Sequence, residues 1–212
     1  MMTTPTDTGR LEDKLDQLLG LGTSTIYEGS GIDCWINPDI RPVWKGAHVA
    51  GPAYTVHSEL GDNLAIQRAV REAPEGSVLV VEAGGGQFGY WGEMLTEIAR
   101  LRKIAGLIIN GTVRDIDEIE GLAFPVFATG VAMRHADKKH SGTIGESVSL
   151  SGRPVHTGDV VIADTDGVIV VPGDRITEAL QGGLDRAAKE RDRLATIHAG
   201  QVPPMTAEEG VY

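Results

Sequence analysis

Apolar residues recur at helical spacing in some stretches of the chain and form short continuous runs in others. Leucines at positions 11, 15, 18 and 19 predict a helix over residues 10–19. The continuous runs predict strands, and the segments between them have helical spacing. The predicted strands cover 47–57, 77–81, 106–109 and 125–128, and the predicted helices cover 61–70, 92–103 and 115–121. This alternation is typical of a largely parallel α/β core.

The pattern changes after residue 140. Short strands are predicted at 145–150, 160–163 and 168–171, joined by turns rich in glycine, aspartate and proline. They predict a β-rich half that closes against the α/β core. Residues 176–198 form a charged amphipathic helix that Gly182 and Gly183 are expected to weaken. Residues 21–42 show no regular pattern, and 1–9 and 200–212 are predicted to be extended tails of one domain spanning 1–212.

Composition limits the classes of function. The chain has 212 residues, of which 41% are hydrophobic and 23% charged, which is typical of a folded domain with a substantial core. Its formal net charge of -11 argues against nucleic acid as a partner. A small anionic substrate stays compatible with this charge, because one arginine and a metal ion can reverse the potential inside a pocket.

The sequence contains no recognisable targeting signal, so the cytoplasm is the expected location. We find no apolar run of membrane-spanning length, and the first residues lack the basic and apolar regions of a signal peptide. We therefore expect no membrane association. The one cysteine, Cys34, excludes an internal disulfide and a cysteine-rich metal site. Because no histidine lies near Cys34 in sequence, we favour a buried thiol over a nucleophile.

The predicted helix that follows Gly92 is a candidate anion site. If the helix begins there, the backbone amides of Glu93, Met94 and Leu95 have no acceptor within the helix. Free amides and the helix dipole together bind anions, so a substrate carboxylate is the expected ligand. The alternative is that Glu93 only complements the helix dipole.

A second group of charged residues follows the apolar strand at 106–109. The chain is predicted to turn at Asn110-Gly111, which places Arg114 and Asp115 near the carboxyl end of this strand, where ligands of α/β sheets bind. Carboxylates there suit Mg²⁺ or Mn²⁺, and an arginine suits a carboxylate or a developing enolate. The alternatives are a surface ion pair, or Asp115 as a helix cap. Glu118 is expected to act indirectly or to be solvated.

Other motifs exclude several chemistries. The glycines at 84–86, 89 and 92 lack the Lys-Ser/Thr of a phosphate-binding loop, and they match neither a dinucleotide fingerprint nor the glycine motif of a methyltransferase. The six histidines lack zinc-site spacing. His135 and His140 flank Asp137-Lys138-Lys139, which either line the mouth of a pocket or form a solvated loop. We favour the loop.

Several segments in order resemble the RraA-like family. This family includes divalent-metal pyruvate aldolases acting on 4-hydroxy-4-methyl-2-oxoglutarate and 4-carboxy-4-hydroxy-2-oxoadipate, and also the regulator of ribonuclease activity A. The resemblance runs from about Gly46 to Pro172. Its segments are Gly51-Pro52-Ala53-Tyr54-Thr55-Val56, Gly61-Asp62-Asn63, Trp91-Gly92-Glu93, Asn110-Gly111-Thr112-Val113-Arg114-Asp115, Pro125-Val126-Phe127, and 158–168.

The resemblance implies a role for each candidate residue. The family's aldolases carry an acidic residue, twenty intervening residues and then Arg-Asp, whereas the regulator has glycine at the first position. This chain has Glu93 there, although aspartate is more usual, so the enzymatic branch is favoured. By similarity, Asp115 binds Mg²⁺ or Mn²⁺ directly and Glu93 does so through water. Gly92, Met94 and Leu95 hold the substrate carboxylate, and Arg114 contacts the keto oxygen.

The resemblance also implies a fold, an activity and an assembly. The expected fold is a swivelling β/β/α-type mixed α/β sheet with flanking helices. The expected activity is cleavage of a 4-hydroxy-2-oxo acid to pyruvate, with oxaloacetate decarboxylation through a shared pyruvate enolate. The expected assembly is a homotrimer or homohexamer in which a neighbouring subunit contributes a C-terminal glutamate, for which Glu208 and Glu209 are the candidates. The alternative is a non-enzymatic regulator that binds a protein partner such as a ribonuclease.

Overall fold

A computed structural model describes residues 10–204 of the chain. Within this range six α-helices are present: α1 (Leu11–Leu21), α2 (Thr23–Ser30), α3 (Leu64–Glu72), α4 (Glu93–Leu101), α5 (Ile116–Gly121) and α6 (Ile176–His198). A 3₁₀ turn at Gly173–Arg175 precedes α6. Among these described helices, none combines the length and apolar character needed to cross a membrane.

The same range contains ten strands. They are β1 (Arg41–Pro42), β2 (Val49–His57), β3 (Val78–Glu82), β4 (Gly106–Val113), β5 (Val126–Val131), β6 (Thr143–Ile144), β7 (Val148–Leu150), β8 (Arg153–Val155), β9 (Val160–Ala163) and β10 (Val168–Val171). Eight of them form one sheet with the order β1-β5-β4-β3-β2-β9-β10, in which β6 also pairs with β2. The strands β2, β3, β4 and β5 are parallel, so the predicted parallel core is confirmed.

The central strands bury both of their faces, which explains their continuous apolar sequence. In β3, Leu79 and Val81 face a cluster that contains α3, α4 and α5. The alternate residues Val78 and Val80 face the opposite side, where the β7–β8 hairpin packs. Successive side chains of a strand point to opposite faces, so five residues of sequence serve two separate cores.

The strands predicted after residue 140 are present, and they are arranged in two ways. β9 and β10 continue the central sheet by antiparallel pairing beside β2, whereas β7 and β8 form a separate hairpin. A third apolar cluster lies between β9, β10 and the helices α1, α2 and α6. The late strands therefore extend the parallel core and also cover it.

Two local predictions were wrong. Residues 23–30 form a helix where no regular element was predicted, because Ile26 is buried in the third cluster and packing outweighs the weak helix propensity of the segment. The Asn110-Gly111 pair does not turn but stays within β4, which continues to Val113 with a register shift between Ile109 and Thr112. The Asn110 amide donates to both Glu82 carboxylate oxygens, at 3.0 and 3.2 Å, which holds it in the sheet.

The glycines of α6 do not interrupt the helix, which runs unbroken for 23 residues. They lie where α6 crosses α2 at very short distance. A Cβ atom built on Gly182 would lie 2.5 Å from the carbonyl oxygen of Gly29, and one on Gly29 would lie 2.3 Å from the carbonyl oxygen of Gly182. The expected weakness of the helix is thus offset by a close helix–helix contact that only glycine permits.

Replacing Gly182 with alanine is expected to lower the free energy of unfolding by about 1–3 kcal/mol, the usual cost of overpacking. Gly20→Ala in α1 is the matched control, since an added Cβ there meets nothing within 4 Å. Alanine is the better helix former by up to about 1 kcal/mol, so the control should be neutral or stabilising. Urea denaturation of both variants measures the difference. A Gly182→Ala protein as stable as Gly20→Ala would contradict the close crossing.

Candidate functional site

The segment before α4 runs alongside the end of β4. The Tyr90 amide donates to the Thr112 carbonyl at 3.2 Å, and the Arg114 amide donates to the Trp91 carbonyl at 2.9 Å. The Thr112 hydroxyl donates to the Phe88 carbonyl at 2.8 Å. These bonds bring the two segments singled out from the sequence, 92–95 and 114–115, to the same edge of the sheet.

Asp115 links the end of β4 to the start of α4. Its backbone lies in the left-handed region at φ 58 and ψ 49, which aspartate tolerates better than most residues. One carboxylate oxygen, Oδ2, accepts the backbone amide of Glu93 at 3.0 Å. A Cβ atom on Gly92 would lie 2.3 Å from the same oxygen, so the close approach of this carboxylate depends on glycine.

Arg114 is held at its backbone and exposed at its guanidinium. Its Nε lies 3.6 Å from Asp115 Oδ2, and both side chains are partly exposed. A Cβ atom on Gly89 would lie 2.8 Å from Arg114 Cδ, so Gly89 also gives room to this side chain. Trp91, whose carbonyl binds the Arg114 amide, is buried, and its indole Nε1 donates to the Thr96 hydroxyl at 2.7 Å. The guanidinium therefore projects from a rigid base toward solvent.

The start of α4 offers fewer free amides than predicted. The Glu93 amide is taken by Asp115, and the Thr96 amide donates to the Gly92 carbonyl at 3.1 Å. The amides of Met94 and Leu95 meet no acceptor in the described part of the chain. These two amides and the positive end of the helix dipole remain available to an anion.

A cleft of about 360 Å³ opens in front of this helix start. Its wall includes the predicted residues Gly92, Met94, Leu95, Arg114 and Asp115. Four polar residues that were not predicted as site residues also line it: Asn63, Gln67, Arg71 and Lys138. The sequence predicts the Gly61-Asp62-Asn63 segment as a helix start and as part of the family resemblance but not as part of the site, and it favours a solvated loop for Lys138. Three cationic side chains, including Arg114, thus border one cleft in a protein of net charge -11.

A second cleft of about 500 Å³ lies on the other side of the Arg114-Asp115 pair. Glu118 lines this second cleft together with Asp117, Ile116, Val131 and Met133. Within residues 10–204, no three His, Cys, Asp or Glu side chains are grouped so that they could hold a metal ion. The structure therefore brings Glu93 and Asp115 together, through the Glu93 amide, and places Glu118 in the neighbouring cleft.

The donor chemistry at Asp115 fits a hard divalent cation. The carboxylate is oriented by the Glu93 amide and borders both clefts, so it is accessible. Mg²⁺ keeps several water ligands and commonly uses one or two protein carboxylates, so a preformed cage is not required. The candidate C-terminal ligands Glu208 and Glu209 lie outside the described residues.

Comparison with known proteins gives a consistent family. The family model RraA-like, described as Aldolase/RraA, matches residues 23–170. A protein from Halalkalibacterium halodurans is 34% identical over 159 residues, which cover 74% of this chain and 76% of that protein. It carries the provisional name 4-hydroxy-4-methyl-2-oxoglutarate aldolase.

Two solved structures extend the similarity to the fold. An uncharacterized protein from Pseudomonas syringae pv. tomato superposes with a TM-score of 0.83 at 26% identity, covering 95% of this chain and 96% of its own. Streptomyces coelicolor RraAS2, described as an unusual member of the RNase ES inhibitor RraA protein family, superposes with a TM-score of 0.75 at 26% identity. That match covers 88% of this chain and 98% of RraAS2.

Cys34 lies outside both clefts and is buried in the cluster beneath α1, α2 and α6. Desolvation by burial raises the pKa of its thiol from 9.0 to about 11. A raised pKa means that folding favours the neutral thiol. The resulting stabilisation is complete below the ordinary pKa of 9.0 and is lost as the pH rises through about 11. The prediction that Cys34 is a buried thiol is confirmed.

Cys34 in the folded protein is expected to resist alkylation by iodoacetamide at about pH 8.5, near the ordinary pKa of a free thiol. The raised pKa lowers the thiolate fraction on the order of 10²-fold, and burial adds a barrier to access. The rate is followed by intact mass with and without guanidinium chloride, and the denatured chain is the control. Comparable rates in the two states would contradict the buried environment.

Proposed function

The chain belongs to the RraA-like family, and on that premise we propose that it is a metal-dependent pyruvate aldolase. The proposed reaction cleaves a 4-hydroxy-2-oxo acid to pyruvate and a second oxo compound. The main observation that supports this proposal is the arrangement at one edge of the sheet. Asp115, Arg114 and the free amides of Met94 and Leu95 lie there around a single cleft. A fixed carboxylate, a guanidinium and an anion site are what a 2-oxo acid substrate requires.

The substrate carboxylate is proposed to bind at the start of α4. The amides of Met94 and Leu95 donate to it, and the helix dipole favours its charge. Lys138 and Arg71 in the cleft wall add positive potential, which offsets the acidic surface elsewhere. These contacts fix the orientation of the 2-oxo group toward Arg114 and Asp115.

Arg114 is proposed to stabilise the charge that develops on the 2-oxo oxygen. Cleavage of the carbon–carbon bond leaves a pyruvate enolate, and a guanidinium donates charge-assisted hydrogen bonds to such an oxygen. Decarboxylation of oxaloacetate passes through the same enolate and is the simplest assay of this chemistry. The Trp91 carbonyl holds the Arg114 backbone amide, and Gly89 leaves room for the Arg114 side chain beside the cleft.

Asp115 would hold Mg²⁺ or Mn²⁺ directly, and Glu93 would contact the ion through water. When bound, the ion supplies a Lewis acid for the 2-oxo oxygen. Glu93 is exposed at the first position of α4. Its side chain is one methylene group longer than that of the aspartate usual at this position in the family's aldolases, which suits an indirect contact.

The test is pyruvate release from oxaloacetate, first with EDTA and then with added Mg²⁺ or Mn²⁺. Turnover above the background of the free ion, and lost in Asp115→Asn, supports the proposal. Asparagine keeps the size of the side chain and tolerates the left-handed backbone, so this variant should fold. Absence of turnover with every divalent ion would overturn the enzymatic proposal.

A second candidate function is a non-enzymatic regulator that binds a basic segment of a protein partner. Two observations favour it: the likeness to RraAS2 and the net charge of -11. The same assay separates the candidates, because a regulator has no need of metal-dependent turnover. Pull-down of a purified ribonuclease would then be the next measurement.

Arg114→Ala is expected to reduce turnover of oxaloacetate by about 10²- to 10³-fold, the typical cost of losing one electrostatic contact in a transition state. Arg100→Ala is the matched control, because Arg100 is an exposed arginine on α4 that pairs only with Glu97 in the described structure. Circular dichroism should show both variants folded. Near-normal turnover in Arg114→Ala would remove this residue from the mechanism.

Glu93→Gln is expected to raise the metal concentration that gives half-maximal activity by about 10- to 100-fold, as loss of an indirect metal contact typically does. Glu97→Gln, one helical turn further along α4, removes the same charge from an exposed position and should behave as wild type. Titration of activity with Mn²⁺ measures both. Identical titrations for the two variants would show that Glu93 only complements the helix dipole.

A further inference from the structure

A loop with several positive side chains borders the candidate cleft. Residues 134–140 have the sequence Arg-His-Ala-Asp-Lys-Lys-His, and Lys138 from this loop lines the cleft. The loop follows β5 and contains no helix or long strand that would fix it. The position of Lys138 therefore depends on what the loop is bonded to.

The loop is bonded to the buried carboxylate of Asp62. This side chain is 1% exposed. Its Oδ2 accepts the backbone amides of Lys139 at 2.5 Å and His140 at 3.1 Å, and its Oδ1 accepts the amide of Leu64 at 2.9 Å. One carboxylate thus joins the first turn of α3 to the two residues that follow Lys138.

Backbone bonds reinforce the same junction. The Asn63 amide donates to the Asp137 carbonyl at 2.9 Å, and the Asp137 amide donates to the Gly61 carbonyl at 2.7 Å. Asp137, which immediately precedes Lys138, is therefore held in both directions. Lys138 lies between two residues whose backbones are fixed by residues 61–63.

Residues 61–63 are also bonded to the segment that leads into α4. The Gly61 amide donates to the Tyr90 hydroxyl at 2.8 Å, and the Asn63 side-chain amide donates to the Tyr90 carbonyl at 3.0 Å. Tyr90 precedes Trp91 and Gly92 at the start of the helix. The two walls of the cleft, the loop and the helix start, thus share one point of attachment.

The negative charge of Asp62 suits a carboxylate that accepts several backbone amides. Burial by itself would raise the pKa of the Asp62 carboxyl group. The hydrogen bonds from the three backbone amides outweigh this effect, so the pKa of Asp62 lies below its ordinary value. The carboxylate satisfies three donors at once, which a neutral side chain of the same shape cannot do. In the described part of the chain, no lysine or arginine side chain hydrogen-bonds to it.

We infer that Asp62 is a positioning residue, whose buried carboxylate fixes the 134–140 loop so that Lys138 faces the substrate carboxylate in the cleft. The inference rests on the proposed function for the role of the cleft. Asp62 does not line the cleft and is not proposed to touch the substrate. It acts through the backbone amides on either side of the cleft wall.

The central variant is Asp62→Asn, which keeps the shape of the side chain but replaces one acceptor oxygen with a donor facing backbone amides. Its KM for oxaloacetate is expected to rise about tenfold, the scale of losing a hydrogen bond to a charged group. The kcat should change little, because a contact made equally in ground and transition states affects KM alone.

Asp164→Asn is the matched control for general destabilisation. Asp164 accepts the amides of Thr23 at 2.7 Å and Asp166 at 2.9 Å and the Thr23 hydroxyl at 2.7 Å, so it also satisfies three donors. It lies between β9 and β10 and lines neither cleft. Its kinetic constants should match wild type even if its thermal stability falls as far as that of Asp62→Asn.

A double variant tests the route through Lys138. Lys138→Ala should raise KM by itself, and Asp62→Asn combined with Lys138→Ala should raise it no further, because both changes remove the same contact. If the two increases in KM multiply in the double variant, or if Asp62→Asn lowers kcat at unchanged KM, the positioning role would be overturned. An Asp62→Asn protein with the KM of wild type would overturn it as well.

Hydrogen exchange separates failure of this inference from failure of the proposed function. In Asp62→Asn, and not in Asp164→Asn, the amides of residues 139 and 140 should exchange at least about tenfold faster, since both lose their acceptor. This measurement needs no activity. If wild type does not turn over oxaloacetate, the aldolase proposal fails, and unchanged exchange in Asp62→Asn would independently overturn the role of Asp62.

Discussion

The hydrogen bond from the Glu93 amide to the Asp115 carboxylate is the contact on which the candidate site depends. It joins the end of a buried strand to the start of a helix that lies 22 residues earlier in the chain. It also orients the carboxylate toward the cleft while leaving the next two amides free. The backbone of Asp115 is left-handed and Gly92 has no Cβ, so both residues serve this one contact. Function and local conformation are coupled here, because the atoms that cap the helix are also the proposed metal ligand.

The parallel sheet explains why the site forms at this edge. β3 and β4 end side by side, and the segments that follow them, 83–92 and 114–115, emerge together. Helices α3, α4 and α5 cover one face of the sheet, so the loops at its carboxyl edge are the accessible backbone. The charges then divide: cationic side chains collect in the cleft at the start of α4, whereas Asp117 and Glu118 line the neighbouring cleft. A single Arg-Asp pair separates the two environments.

At several places in the fold, glycine lets a neighbouring segment lie very close to the backbone. Gly29 and Gly182 permit the crossing of α2 and α6, and Gly92 permits the approach of Asp115. In each case the sequence shows a glycine in or beside a helix, which by propensity alone indicates weakness. The structure shows the compensation, since each glycine faces an atom that any larger side chain would displace. Buried Asp62 also brings backbone segments close together, because three backbone amides donate to its one carboxylate.

The resemblance to the RraA-like family implied the pairing of Glu93 with Arg114-Asp115. Three further features were predictable from the sequence pattern: the strand–helix alternation, the parallel core, and the position of Arg114-Asp115 after a strand. These features follow from local periodicity and chain order, which act over a few residues. The three-dimensional structure was needed to show that residues 23–30 are helical, that Asn110-Gly111 remains in β4, and that Glu118 lines a different cleft from Met94 and Leu95. It also placed Asn63, Arg71 and Lys138 in the cleft wall. Such outcomes depend on contacts between residues distant in sequence, where packing and shared hydrogen bonds outweigh the preferences of any single segment.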